Sequence, residues 1–175
     1  MKNIIFSVFL LLSFSKAQDF VAKVDFVKDG DTIDFILDDT KITCRAFGID
    51  SPEKYDSNKL KKEAKKHNIH PTKISNAGNL ATDYAKRYFS QNQNYQISLY
   101  GKDRYGRDLC VISDNRGLFN QNIILDGFAV LYKNGKFIKE QNLRNLLKSS
   151  QTVAYANKNG LWLDYNDLML GMAND

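Results

Sequence analysis

Three short runs rich in β-branched and aromatic residues follow residue 17, and they constrain the fold more than any other feature. They cover Phe20 to Val27, Thr32 to Leu37 and Lys41 to Phe47. Asp29-Gly30 separates the first two runs, and Asp38-Asp39-Thr40 separates the next two. Because such short polar connections reverse the chain direction, the three runs predict an antiparallel meander.

The rest of the chain adds helices and two more strands. Helical spacing of apolar residues predicts helices over Ala77 to Phe89, Asn120 to Asp126 and about Lys139 to Asn157. Strands are predicted over Tyr95 to Tyr100 and Asp108 to Ser113. A content of 43% hydrophobic and 26% charged residues excludes collagen-like and wholly disordered chains. We therefore expect an α+β fold that is mainly β, a five-stranded OB-type Greek-key barrel with three packed α-helices, as a single domain over residues 18–175.

Residues 1–17 have the pattern of an export signal. Lys2 gives a basic start, the run from Ile4 to Phe14 is almost entirely apolar, and Ser15 and Ala17 place small residues before Gln18. We interpret this segment as a Sec signal peptide cleaved after Ala17, and we expect a secreted or periplasmic protein without a membrane anchor. A membrane anchor and a buried strand are the alternatives, although so short an apolar run cannot span a bilayer.

The chain has two cysteines, Cys44 and Cys110. Both lie in predicted strands, where alternation places Cys44 on the same face as Ile42 and Cys110 on the same face as Ile112. Export would bring them into an oxidising compartment, where thiols can pair. A disulfide and two buried free thiols both remain open, and the spacing fits no zinc motif.

Positive charge is concentrated in one segment. The chain carries a net charge of +5, and residues 54–73 contain seven lysines against Asp56 and Glu63. Removal of Lys2 and Lys16 with the signal peptide then leaves the rest of the mature chain slightly acidic. We interpret residues 54–73 as an exposed loop with at most one short helix, over Lys59 to Lys66. One possibility is that this loop steers a polyanion in a salt-dependent way, and the other is that it is simply solvated.

Three short segments carry candidate chemistry, namely Asp29 to Thr32, Arg45 to Glu53 and Asp103 to Arg107. Each alone is an ordinary turn or loop. A barrel would bring them to one rim, where they supply three carboxylates and two guanidiniums: Asp31, Asp50, Glu53, Arg45 and Arg107. Strand alternation places Arg45 opposite Cys44 and away from the core, with a buried salt bridge as the alternative to a substrate contact.

This combination of residue types suits phosphodiester hydrolysis. Carboxylates can hold a hard cation that neutralises a phosphate and orients water. A further carboxylate can take the proton of that water. Arginine side chains match phosphoryl oxygens in pairs and stabilise the charge that develops in the transition state. The pattern therefore predicts metal-assisted cleavage of nucleic acid.

The motifs occur in the order DGDT, R-x₂-GID-x-PE, DRYGR, Gly127-Phe128-Ala129 and Gly160-Leu161-Trp162. This ordered set resembles the staphylococcal nuclease (thermonuclease) family over roughly residues 20–162. The resemblance implies an OB barrel with three helices. It also implies a calcium-dependent, sugar-non-specific endonuclease that cleaves single- and double-stranded DNA and RNA and leaves 3′-phosphate ends. We expect such a protein to be a monomer.

The resemblance also implies the roles of the acidic residues. Asp31 and Asp50 match the family's calcium-binding carboxylates. Ser51 stands where a backbone carbonyl, usually that of Thr, completes the coordination, and Ser can serve because only the carbonyl is used. Glu53 matches the general base that activates the attacking water.

The remaining matches concern the substrate. Arg45 and Arg107 match the arginines that bind the phosphate, and Tyr105 and Tyr132 match tyrosines of the substrate pocket. Val130 departs from the pattern, because it stands where the type member has a further tyrosine. The resemblance therefore implies one contact fewer with the substrate.

A nucleic-acid-binding module that has lost catalysis is the alternative on the same fold. Such a copy usually lacks the carboxylates or the arginines, and this chain keeps all five. Elsewhere, His67 and His70 have no third ligand, so we expect a solvated loop rather than a metal site there. We expect Trp162 in the core, and the tail after Asp164 either packs against the domain or frays.

Overall fold

The fold is described from a computed structural model, which covers residues 18–91 and 93–175. The predicted signal peptide, residues 1–17, lies outside the described residues. The elements along the chain are β1 (Gln18–Val27), β2 (Thr32–Leu37), β3 (Thr40–Ala46), β4 (Ile49–Asp50), α1 (Asn58–His67), α2 (Pro71–Tyr88), β5 (Asn94–Lys102), β6 (Asp108–Asp114), β7 (Gly117–Leu118), α3 (Phe119–Leu125), β8 (Val130–Leu131), a 3₁₀ turn (Tyr132–Gly135), α4 (Gln141–Asn157), α5 (Leu161–Asp164) and α6 (Asn166–Ala173). No helix within the described ranges is long and apolar enough to cross a membrane.

Five strands close into a barrel. β1 pairs antiparallel with β2 and β5, β2 pairs with β3, and β5 pairs with β6. A parallel pairing of β3 with β6 closes the sheet and sets Arg45 opposite Leu109 and Ala46 opposite Cys110. β4 and β8 form a separate two-stranded sheet. The predicted five-stranded OB-type barrel is confirmed.

A disulfide joins Cys44 and Cys110 across the closing strand pair. Their Cα atoms are 5.5 Å apart, and both residues are fully buried in the barrel. Of the two possibilities that the sequence leaves open, the structure has the disulfide. The bond ties β3, which carries Arg45, to β6, which begins directly after Arg107. It therefore connects the two strands nearest the arginines of the predicted site.

The hydrophobic core has two parts. The first fills the barrel beneath α2, α3 and α4, and it includes Phe35 and Phe119. The second lies between α1, α2 and the C-terminal helices, and it includes Leu60 and Trp162. Phe128 packs against both parts, so the interior is continuous. The predicted core position of Trp162 is confirmed.

Residues 54–73 include the short helix that the sequence allowed over Lys59 to Lys66, which is α1, but the remainder contains the start of α2 and is not the predicted exposed loop. The Ser57 hydroxyl caps α1 by accepting the N–H of Leu60 at 3.1 Å. Leu60 and Ala64 are buried one helical turn apart. Pro71 occupies the first turn of α2, where its fixed φ suits a helix start. The apolar stripe of α1 is so short that the surrounding lysines obscure it in the sequence.

The C-terminal tail packs against the domain and does not fray. α6 buries Leu168, Met169 and Met172 in the second core.

The two histidines lie at helix ends and not in the predicted solvated loop. His67 ends α1, and His70 directly precedes α2. His67 Nε2 lies 3.5 Å from an Asp175 carboxylate oxygen, and His70 Nδ1 accepts the N–H of Thr72 at 3.2 Å.

Candidate active site

Asp31 lies in the tight connection between β1 and β2. The Asp29 carboxylate accepts the N–H of Asp31 at 3.1 Å and so shapes the turn. Asp31 is only 2% exposed, and its Oδ2 accepts hydrogen bonds from the backbone N–H and the hydroxyl of Ser51 at 2.8 and 2.9 Å. A Cβ on Gly30 would come within 2.9 Å of the Ser51 side chain, so this approach requires glycine. The Ser51 hydroxyl therefore orients Asp31, a role that the resemblance does not assign to it.

Arg45 lies between two aspartates. In the β2–β3 register it is opposite Thr32, next to the Asp31 turn. Its Nη1 contacts Asp31 Oδ1, and its Nη2 contacts Asp50 Oδ1 and donates to the Ile49 carbonyl at 3.3 Å. Because one planar guanidinium contacts both carboxylates, Asp31 and Asp50 must converge. The sequence left open whether Arg45 contacts a substrate or forms a buried salt bridge. In this structure Arg45 forms the salt bridge.

A second cation reaches the same carboxylates from helix α1. Lys59 Nζ lies 3.1 Å from Asp50 Oδ1, 2.7 Å from Glu53 Oε1 and 3.6 Å from Glu63 Oε1. Sequence interpretation misses Lys59 and Glu63 as site residues because it assigns both to an exposed, solvated segment. The signal that identifies them is their i,i+4 spacing, which places both on one side of a helix.

Burial and neighbouring charges shift the ionisation of this cluster. Burial opposes the charged form of Asp50, but Lys59 and Arg45 outweigh it and lower the pKa of Asp50. Burial likewise opposes the charge on Lys59, but Asp50 and Glu53 raise the pKa of that ammonium. Burial raises the pKa of Glu63 from 4.5 to about 7. An ionised Asp50–Lys59 pair therefore lies beside a carboxyl group that titrates near neutral pH.

Arg107 reaches the rim from the turn between β5 and β6. The Asp103 carboxylate accepts the backbone N–H groups of Tyr105 and Arg107 at 2.8 and 3.0 Å, and it accepts Arg107 Nε at 2.7 Å. Arg107 Nη1 donates to Thr32 Oγ1 at 3.3 Å, and that hydroxyl donates to Asp31 Oδ1 at 3.1 Å. A chain of hydrogen bonds therefore links Arg107 to the Asp31–Arg45 pair.

An open groove of about 620 Å³ lies beside Arg107. The Tyr105 ring forms part of its wall, is 68% exposed and lies 5.6 Å from the Arg107 guanidinium. Three lysines also line the groove: Lys28, Lys41 and Lys102. Each of these lysines is paired with a carboxylate, so the groove offers a nucleotide chain mainly the accessible Tyr105 face beside the Arg107 guanidinium.

The tyrosine predicted as the second substrate contact lies in a different place. Tyr132 follows β8, donates its N–H to the Gly48 carbonyl at 2.9 Å and stacks on Phe137 with ring centroids 6.1 Å apart. It is 39% exposed, but it is not among the described residues that line the Arg107 groove. Val130, opposite Asp50 in the β4–β8 pair, is fully buried and packs into the second core. Its side chain therefore helps to position β8 against β4.

The donors around Asp31 and Asp50 fit a hard cation. Arg45 holds the two carboxylates close together, and Ca²⁺ prefers carboxylate, carbonyl and water oxygens. Within residues 18–91 and 93–175, no three His, Cys, Asp or Glu side chains form a metal-binding group. Two carboxylates would therefore need further oxygen ligands from the backbone or from water. The backbone carbonyl of Ser51 is the ligand that the resemblance implies.

Comparison with known proteins identifies the family. A family model described as staphylococcal nuclease homologue matches residues 43–164, which is more than half of the chain. The chain belongs to the staphylococcal nuclease family. The thermonuclease of Staphylococcus hyicus is 27% identical to it over 150 residues, which cover 85% of this chain and 79% of that protein.

Most of the candidate site lies within the match to the staphylococcal nuclease family. Asp31 precedes the matched residues, so its place in the site depends on its contacts with Arg45 and Ser51. Membership of the staphylococcal nuclease family and the similarity to a thermonuclease support a nuclease-type hydrolase.

Proposed function

We propose that this protein is a calcium-dependent nuclease that hydrolyses phosphodiester bonds of single- and double-stranded DNA and of RNA and leaves 3′-phosphate ends. The observation that carries the proposal is the convergence of Asp31, Asp50 and Arg45, to which Arg107 is linked through Thr32. Oxygen ligands for a cation and guanidinium donors for a phosphate therefore belong to one network of contacts.

Asp31, Asp50 and the backbone carbonyl of Ser51 would hold the calcium ion. When bound, the ion would neutralise a phosphate and acidify a water molecule. Arg45 and Arg107 supply the donors that bind the phosphoryl oxygens and stabilise the added negative charge of the transition state. Arg107 is 31% exposed and Arg45 15%, so Arg107 meets an incoming nucleotide chain first.

Glu53 takes the proton from the attacking water. Its side chain is 26% exposed, and Lys59 Nζ holds its Oε1 at 2.7 Å. The carboxylate is therefore fixed beside Asp50 and still reaches solvent, to which it can pass the proton. A positioned general base contributes about 10²- to 10⁴-fold to a rate.

The test is cleavage of DNA and RNA by the purified protein with CaCl₂ or with a chelator. We expect cleavage that calcium stimulates, and we expect Glu53→Gln and Arg107→Ala each to lower kcat at least about 100-fold. The matched controls are Glu140→Gln and Arg87→Ala, which change exposed residues outside the site and should retain wild-type activity. Full activity in Arg107→Ala, or cleavage that persists in chelator, would contradict the mechanism.

The alternative, a binding module without catalysis, is not favoured, because the three carboxylates and two arginines are all present. It predicts a different result in the same experiment. A binding module would retain DNA in a mobility-shift assay while leaving the DNA uncut at every calcium concentration.

We also propose that the protein is secreted or periplasmic and acts as a monomer. The signal-like pattern of residues 1–17 supports export, and disulfides such as Cys44–Cys110 form in oxidising compartments. N-terminal sequencing of protein from the medium or the periplasm should start at Gln18. Accumulation of the uncleaved chain in the cytoplasm would contradict export, and light scattering would test the monomer.

A further inference from the structure

Beyond its contact with Glu53, Lys59 has no part in the proposed hydrolysis. Its ammonium contacts carboxylates of Asp50, Glu53 and Glu63, at 3.1, 2.7 and 3.6 Å. It also lies 3.4 Å from the second oxygen of Asp50. Three acidic side chains therefore share one internal cation.

The ammonium and a calcium ion would compete for Asp50. Calcium binds carboxylate oxygens at about 2.3–2.6 Å, and Lys59 Nζ is already within hydrogen-bond distance of both oxygens of Asp50. Two like charges a few ångströms apart repel strongly where water is partly excluded. Lys59 therefore has to leave Asp50 when a cation binds there.

Glu63 provides a place for the displaced ammonium. It follows Lys59 by one turn of α1, is only 8% exposed, and its Oε2 has no hydrogen-bond partner among the residues that the structure describes. An unpartnered buried carboxylate oxygen is unfavourable, so an approaching ammonium stabilises it. Because both side chains lie on one helix, rotation of the Lys59 side chain is sufficient.

We propose that the Lys59 ammonium neutralises Asp50 in the metal-free site, and that calcium binding moves this ammonium from Asp50 to Glu63. This inference rests on the proposed function in one respect, that Asp50 is a calcium ligand. Lys59 keeps Asp50 and Glu53 together in the absence of metal. Because calcium must displace it from Asp50, it raises the calcium concentration at which the site fills.

Calcium titration calorimetry on the purified protein at pH 8 tests the proposal. Lys59→Met removes the competing charge and should lower the Kd for calcium roughly tenfold. Glu63→Gln removes the receiving carboxylate and should raise the Kd several-fold, and this effect should disappear in the Lys59→Met background. Lys62→Met is the matched control, because it removes the same charge from the exposed side of α1.

Two results would overturn the proposal. An unchanged Kd in Lys59→Met, or a change equal to that in Lys62→Met, would exclude competition at Asp50. An equal effect of Glu63→Gln with and without Lys59 would show that Glu63 does not act through the lysine. Lys59→Gln should change the Kd in the same direction as Lys59→Met, and it replaces that variant if methionine disturbs folding.

The calorimetric result is independent of DNA cleavage, so the two proposals can fail separately. Cleavage by the wild-type protein with no effect of Lys59 on the Kd would refute the inference and leave the nuclease in place. Tighter calcium binding by Lys59→Met without cleavage in any variant would refute the nuclease and support the inference. The absence of calcium binding in every variant would overturn both.

Discussion

Glu63→Gln should change the pH dependence of stability in the metal-free protein. Burial raises the pKa of Glu63 from 4.5 to about 7, so between these values the folded state binds a proton that the unfolded state releases. Stability from this group is therefore fully present below about pH 4.5, falls as the pH rises and levels off above about pH 7. At about 1.4 kcal/mol for each pH unit, the loss between pH 5 and pH 8 is about 2 to 3 kcal/mol. Glutamine cannot ionise and avoids this loss.

The assay is urea unfolding in chelator at pH 5 and pH 8, followed by the fluorescence of Trp162. That residue is the single tryptophan and is 2% exposed, so unfolding changes its environment. From pH 5 to pH 8, the free energy of unfolding of Glu63→Gln should rise by about 2 to 3 kcal/mol relative to wild type. Glu140→Gln, at an exposed site, should show no such trend. A difference between Glu63→Gln and wild type that is the same at both pH values would refute the reasoning.

Three further predictions concern other parts of the molecule. Ser51→Ala should lower the free energy of unfolding by about 2 kcal/mol, because the buried Asp31 carboxylate loses a hydroxyl donor; urea unfolding measures this, with Ser51→Thr as the variant that keeps the hydroxyl. Reduction of Cys44–Cys110 should remove up to about 4 kcal/mol, because the bond joins residues 66 apart, and thermal unfolding with and without reductant measures the loss. Glutamine at Lys61, Lys62, Lys65 and Lys66 should weaken DNA affinity and flatten its salt dependence if the exposed side of α1 steers the polyanion, whereas an unchanged salt slope would indicate lysines that are only solvated.

The strands and turns of the barrel were predictable because their determinants are local. Alternating apolar residues define β1, β2 and β3, and short polar turns separate them. The Asp29 and Asp103 side chains fold their own turns by accepting backbone N–H groups two to four residues away. Such signals lie within a few residues of the structure they determine.

The position of the tyrosines was not predictable in this way. Tyr105 and Tyr132 have the same expected role, but only Tyr105 lies in the described wall of the Arg107 groove. Tyr132 is placed by the pairing of β8 with β4, a contact between segments about 80 residues apart. Motif spacing carries no information about the direction in which such a pair of short strands faces.

The sequence by itself determined the order of the five barrel strands and of α2, α3 and α4, the barrel class and the residue types available for phosphodiester chemistry. The tertiary structure decided that Arg45 bridges Asp31 and Asp50, that Cys44 pairs with Cys110, and that α1 brings Lys59 and Glu63 to the site. The physical reason is that ion pairing and ionisation depend on burial and on neighbours distant in sequence. The lysine-rich segment shows this most clearly. Its composition predicts exposure to solvent, but its packing places Lys59 among three carboxylates.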